Sequence, residues 1–344
     1  MVDHIINNTM RVKKMNQELV RETLKDMRQG TKSMVAEATG LSIATCRNIL
    51  HELLSTGELI QLELEESNGG RPAQIYRYNV DFANIACIII RAGVTLHSLT
   101  YSVVNLSGES LEEGSQQLEQ MNEEKIYDLV DRLILKYPRI QAIGIGVPGA
   151  VHQGVINTCD IPNLINVNLV APIQEKLEVE VILDNDMNLT VYGLYQRQGY
   201  NERNSLVVTT FIEGSLPGAG IMIDGHIHRG NSRFAGEIAF LPLEMSHDEQ
   251  FRKLHNRDTF HPLAARGVSS LIAVMNPETI ALTGDLLKPG DVELIRNECL
   301  KYIPELHMPR LILLENPDDD YMCGLIKMTL ESLSYSLQLV EKRR

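Results

Sequence analysis

The 344 residues carry 32 Lys/Arg against 45 Asp/Glu, a formal net charge of −13, with 44% hydrophobic residues, 5% aromatic residues and no Trp. That length predicts two or three domains with sizeable cores, while no apolar run approaches the ~20 residues of a membrane span and MVDHIINNTMRVKK has no signal-peptide core, so the expected compartment is the cytoplasm. Cys46, Cys87, Cys159, Cys299 and Cys323 form no C-x-C or C-x-x-C pair, which speaks against a disulfide framework or a local zinc knuckle.

Charge is divided unevenly along the chain. The first 80 residues hold ten Lys/Arg and ten Asp/Glu, so the whole net charge of −13 falls on residues 81–344. An acidic body is repelled by DNA, which leaves the neutral head as the part able to dock on it. Residues 16–28 predict a helix with Leu19, Val20, Leu24 and Met27 inward. Arg11, Lys13 and Lys14 precede it, as a solvated tail or as phosphate contacts. From Thr31 to Tyr78 the pattern predicts two further helices joined by a tight turn and then a two-stranded wing, the plan of a winged helix-turn-helix. Ser33 is expected to cap the first of these helices and Gly40 to end it, with Leu41 plugging the corner. Ser42 caps the second, which turns Ile43, Cys46, Ile49, Leu50, Leu53 and Leu54 to one face and stops at Gly57. Its other face presents Ala44, Thr45, Arg47, Asn48 and His51, short or hydrogen-bonding side chains suited to base edges in a major groove; with Ser42 they form the expected DNA-reading set. Strands at 60–65 and 74–78 frame the wing tip Asn68-Gly69-Gly70-Arg71-Pro72. There the glycines admit close backbone approach, and Arg71 lies along a minor groove or against phosphate.

The pattern changes at 79–84, which sets a head at 1–80 and a body at 81–344. The body alternates strands, expected at 85–90, 99–106, 140–147, 179–183, 205–211, 219–223, 279–282 and 310–314, with helices at 123–137, 169–177, 263–275, 292–300 and 321 to about 339. The strand IQAIGIGV runs into Pro148-Gly149, and Asp184-Asn185-Asp186 closes the strand at 179–183. Such α/β sheets bind ligands at the Gly-rich turns of their strand ends. Taken alone, DNDMN is a strand-to-helix turn whose Asp caps the helix.

At GIGVPGAV (144–151), DNDMN (184–188), EGSLPGAG (213–220), DGHIHRG (224–230), AGEI (235–238) and NPETIALTG (276–284), the chain resembles the ROK family of sugar kinases and sugar-responsive repressors. The head, through TGLS, the helix after it and GGRP, resembles the repressor branch, that of the xylose and N-acetylglucosamine repressors. The resemblance implies an α/β, actin-like body of two ribonuclease-H-like lobes closing over a cleft, in a homodimer or tetramer. The smaller lobe would span about 81–186 plus the C-terminal helix, and the larger about 187–325. It also implies that Asp186 matches the family's catalytic base, Asn185 a sugar-hydroxyl ligand, Gly149 the sugar-binding turn and Glu237 the sugar-binding Glu, with Asn163 approaching the same place. An Asp, an Asn and a Glu at strand ends can hydrogen-bond the vicinal hydroxyls of a sugar.

Departures from the family pattern limit the chemistry. No Asp or Glu occurs from Phe82 to Gly108, where family kinases hold the metal-binding Asp of their first phosphate turn, and Arg91 stands in that stretch. In the second phosphate loop Leu216 adds a Cβ, Pro217 removes an N–H donor and Glu213 adds a negative charge. Phe240 replaces the His of G-E-I-G-H, the zinc motif is absent, and only 36 positions separate Phe240 from Asn276. His247, His255 and His261, spaced by eight and six, fit no local metal motif and are expected on the surface. The expected function is a sequence-specific DNA-binding transcriptional repressor of carbohydrate metabolism genes, without cofactor, metal or catalysis, whose body binds a sugar-derived effector. A sugar kinase carrying a DNA-binding head is the alternative.

Overall fold

The computed structural model describes residues 2–65, 73–200 and 204–333. The expected wing tip with Arg71, and the end of the expected last helix, lie outside the described residues. The chain divides into two compact units: Met1–Asn84 with Asn105–Glu109 and the segment from Leu330, and a larger unit of Ile85–Val104 and Ser110–Thr329.

In the first unit, α1 (Val2–Met27), α2 (Lys32–Thr39) and α3 (Ile43–Thr56) surround a core of Val20, Leu24, Val35, Cys46, Ile49, Leu50 and Leu53. The helix signals in the sequence act locally as expected at three places. Ser42 accepts from Thr45 N (3.1 Å), Gly40 takes φ 69° between α2 and α3, and Gly57 takes φ 84° after α3. Four expectations are corrected. The cap of α2 is Thr31, which accepts from Met34 N, because the helix begins one residue before Ser33. Arg11, Lys13 and Lys14 do not precede α1 but lie within it, and Lys13 pairs with Glu52. Leu19 is 43% exposed, one position off the buried face of α1, and Ile43 is 55% exposed at the first residue of α3. The expected pair of strands is part of a three-stranded sheet: β1 (Gln29–Thr31) joins β2 (Leu59–Glu65) and β3 (Ala73–Tyr78) in the order β1-β3-β2.

The larger unit holds two five-stranded sheets. The first contains β4 (Asn84–Arg91), β5 (His97–Asn105), β6 (Ser110–Leu118), β7 (Ile140–Val147) and β10 (Glu180–Asn185), in the order β10-β7-β4-β5-β6. Between β6 and β7 lies α4 (Glu123–Lys136); after β7 come the small hairpin β8 (Val151–His152) and β9 (Val155–Ile156), then α5 (Val170–Leu177). α6 (Asp186–Gln198) leads to the second sheet of β11 (Leu206–Thr210), β12 (Ala219–Ile223), β13 (His226–Ile227), β14 (Thr279–Thr283) and β15 (Arg310–Leu313), ordered β13-β12-β11-β14-β15. In chain order both sheets read third, second, first, fourth, fifth. α7 (His247–Leu254), α8 (Arg257–Met275) and α9 (Asp291–Cys299) cover the second sheet, and α10 runs from Pro317 to Ser332.

β6 was not expected as a strand. Its sequence SLEEGSQQL has almost no apolar alternation because it is the edge of its sheet, with most of its residues facing water. α8 starts six residues earlier than expected, since Asn256 caps it and Pro262 lies within its early part. The glycines of IQAIGIGV have a packing reason: side chains at Gly144 and Gly146 would collide with Thr329 and Tyr321 of α10. Bare backbone on one face of β7 lets that helix lie close. Among the described residues, no helix is long and apolar enough to cross a membrane.

Candidate functional site

Parallel pairing of β10 on β7 sets Asp184 beside Gly146 and Asn185 beside Val147, which brings the DND triad next to the Pro148-Gly149 turn. The three side chains then separate into different roles. Asp184 is buried and bound by Arg229 through Nε (3.0 Å) and the terminal guanidinium, while its other oxygen accepts from Asn185 N (2.8 Å) and Asn188 Nδ2 (3.1 Å). It is a neutralised structural carboxylate. Asn185, not an Asp, caps α6: its Oδ1 accepts from Met187 N (2.9 Å) and Asn188 N (3.1 Å). Its amide donates to Gly149 O (3.1 Å) and Asp186 Oδ1 (2.9 Å). Asn185 also lines the cavity described next, and through these four hydrogen bonds it positions the turn and the next carboxylate. Gly149 is required sterically, since a Cβ there would fall on the carbonyl oxygen of Thr158.

Asp186 faces a cavity of about 480 Å³ also lined by Gly149, Asp160, Thr210, Glu237 and Phe240. Its volume suits a small molecule. Burial pushes the Asp186 carboxyl up to about 6, opposed by Arg91 and reinforced by Asp160 and Glu237. Burial likewise raises Asp160, which accepts from Ser215 Oγ (2.8 Å), and raises Glu237, to which Asp160 adds repulsion. Glu237 is held there by backbone: Ala219 N donates to Gly236 O (2.8 Å), and Gly236 has φ 95° with no room for a Cβ against Ala219. Asn163 is not brought to the cavity. It is exposed on a 3-10 turn whose inward position is taken by Leu164, and Asp160, three residues earlier, stands in the lining instead.

Asp160 and Phe234 were missed by sequence reading. No local pattern marks Asp160; a backbone bond from its N–H to Pro148 O (3.0 Å) brings it to the site. Phe240 lines the cavity, 57% exposed, and meets Phe234 (centroids 5.1 Å) and His247 (4.8 Å) edge to face. The other two histidines are only partly exposed. His255 is partly buried and bonds Phe251 O (2.8 Å), and His261 is partly buried against Asp291 (2.8 Å), which Arg257 also binds.

The loop after β11 offers little to a phosphate. Glu213 N donates to Asp285 Oδ1 (2.6 Å), Gly214 N to His255 Nε2 (3.5 Å) and Ser215 N to Ile212 O (3.3 Å), so the protein itself takes these donors. Pro217 supplies none. In the stretch without acids, Arg91 pairs with Asp318 and lies over the Tyr321 ring (4.9 Å). Among the described residues no group of three or more His, Cys, Asp or Glu side chains is placed to hold a metal ion.

In the other unit, α3 exposes Ser42, Ala44, Arg47, Asn48 and His51, while Thr45 is partly covered and its hydroxyl meets that of Ser42 (2.8 Å). Ile43 adds an exposed apolar side chain at the start of this helix, a position the sequence reading had turned inward.

Residues 87–252 match the family model described as ROK family. The chain carries a ROK family domain. Over 254 residues it is 29% identical to the xylose repressor of Caldicellulosiruptor bescii, covering 70% of this chain and 62% of that repressor, so it spans less than two thirds of the relative's length. Among solved structures it is similar to a ROK family transcriptional regulator described as a homolog of the E. coli MLC protein, with TM-score 0.66, 18% identity, and 93% of this chain and 96% of that one covered. A ROK hexokinase from Thermus thermophilus aligns with TM-score 0.57 and 17% identity over 73% of this chain and 99% of its own. The ROK domain thus has the mixed α/β fold of both regulators and kinases.

Proposed function

We propose that the protein is a sequence-specific DNA-binding transcriptional repressor whose ROK domain binds a small effector that lowers DNA affinity. The first unit is read as a winged helix-turn-helix head with α3 as the recognition helix, and the rest as an effector-binding, oligomerising body in the cytoplasm. The observation that carries this reading is the outer face of α3, where Asn48, Arg47 and His51 stand free of the core on a helix anchored by four buried apolar residues. The name of the xylose repressor and the regulator's likeness across 93% of this chain, head included, support it. A dimer would set two such helices on half-sites about one helical turn apart, or a multiple of it. Asn48→Ala should lose discrimination between operator and random DNA by about 1–3 kcal/mol, as for one good base contact. Arg71→Ala should weaken both and reduce the salt slope by roughly one unit. Gel-shift titrations across salt test this; full operator affinity in both variants would place recognition elsewhere.

One observation favours the kinase alternative: Asp186, with its carboxyl raised to about 6, has the character of a general base. Phosphoryl transfer also needs metal and donors to neutralise charge on the phosphates, and the engaged loop at 213–217 and the acid-free stretch at 82–108 supply neither. We therefore expect no sugar-dependent ATP hydrolysis above background with magnesium present. Turnover in the ordinary range of ~1–1000 per second would restore the kinase reading.

A further inference from the structure

We propose that the cavity selects a cationic effector, a small polyhydroxylated molecule bearing a protonated amine. This rests on the effector reading above and adds the ligand's charge. Asp160, Asp186 and Glu237 all line the cavity, and none forms an ion pair among the described residues. The contrast lies one residue away, where Asp184 is neutralised by Arg229. Arg91 acts on Asp186 through space but is committed to Asp318. Arg233 is the lining arginine, and it is exposed. Three carboxylates facing one pocket repel each other unless a cation enters; burial is the main cause that raises each of them, and Asp160 adds repulsion at Asp186 and Glu237.

Two further observations point to an organic ligand. Phe234 (51% exposed) and Phe240 present ring surface to the same cavity, and aromatic faces attract ammonium groups and stack on the apolar face of a sugar ring. Thr210 also lines the cavity, is 7% exposed, and its hydroxyl has no hydrogen-bond partner among the described residues, so a ligand hydroxyl would complete it. An amine meets the carboxylates with charge-assisted hydrogen bonds. Acetylating it removes the charge while keeping the hydroxyls, and a phosphate adds repulsion.

The test is calorimetric titration of the full chain at pH 7 with glucosamine, mannosamine and galactosamine, each against its parent hexose, its N-acetyl form and glucose 6-phosphate. At least one amine should bind about tenfold or more tighter than its uncharged counterparts, and the phosphate should not bind. Asp160→Asn and Glu237→Gln should each narrow that ratio, with folding checked by circular dichroism. Equal binding of amine and hexose, with loss in Asp186→Ala, overturns the charge proposal and leaves the effector reading standing. Absence of all sugar binding by protein that still binds operator DNA overturns both.

Discussion

Gly193→Ala or Gly324→Ala should cost the body about 3 kcal/mol or more, because neither position has room for a methyl group. A Cβ on Gly193 of α6 would fall on the carbonyl oxygen of Asp320, and one on Gly324 of α10 would fall on that of Leu189. The two helices touch backbone to backbone through this glycine pair. Backbone cannot turn aside as a side chain can, so either substitution must push the helices apart and open the packing beneath α10, where Tyr321 and Leu325 are fully buried. At roughly 2–4 °C per kcal/mol for a domain of this size, the melting temperature should fall by about 10 °C. Gly218→Ala is the control, since a Cβ there meets nothing within 4 Å. Equal melting temperatures for all three variants would show that the helices do not make this contact.

Asp186→Asn should stabilise the protein at pH 7.5 by about 3 kcal/mol. The folded carboxyl titrates near 6 against an ordinary 3.8, a difference of about two units at 1.36 kcal/mol each. Below pH 3.8 the group is protonated in both folded and unfolded chains and costs nothing. As pH rises towards 6 the unfolded chain ionises first, so folding loses stability, and above 6 the full cost of holding a buried anion persists. Asn escapes that cost and can still accept from Asn185 and Met187 N. Denaturant titrations of wild type and variant should therefore diverge between pH 4 and pH 7 and converge at low pH. A variant less stable than wild type at pH 7.5, or a difference that ignores pH, would refute this account of Asp186. A group kept at such expense is the kind retained for binding.

Much of the fold was legible because its signals are local. Ser42, Gly40 and Gly57 each act within one helical turn, and the strands at 85–90 and 140–147 are apolar, apart from exposed Gln141, because they are buried on both faces. What was missed depends on partners distant in sequence. The Asp184–Arg229 pair spans 45 positions and decides which carboxylate of DND is free. The residue type of Asn185 suits a ligand, and only its four hydrogen bonds reveal that it also holds the turn. Asp160 reaches the cavity through a backbone bond to Pro148, and Phe234 through the fold of its loop, and neither leaves a mark in composition or spacing.

The short segment Asn105–Glu109, the tip of the β5–β6 hairpin, belongs to the first unit. There Leu106 packs against the three-helix core, its N–H donates to Val80 O (2.9 Å), and Asn105 donates to Asp81 (3.1 Å). The chain consequently passes between the units at 84/85, 104/105, 109/110 and 329/330. The first unit is therefore not a bead on a single thread: one protease cut near residue 80 leaves it incomplete, and moving it into another protein would have to carry this hairpin tip along.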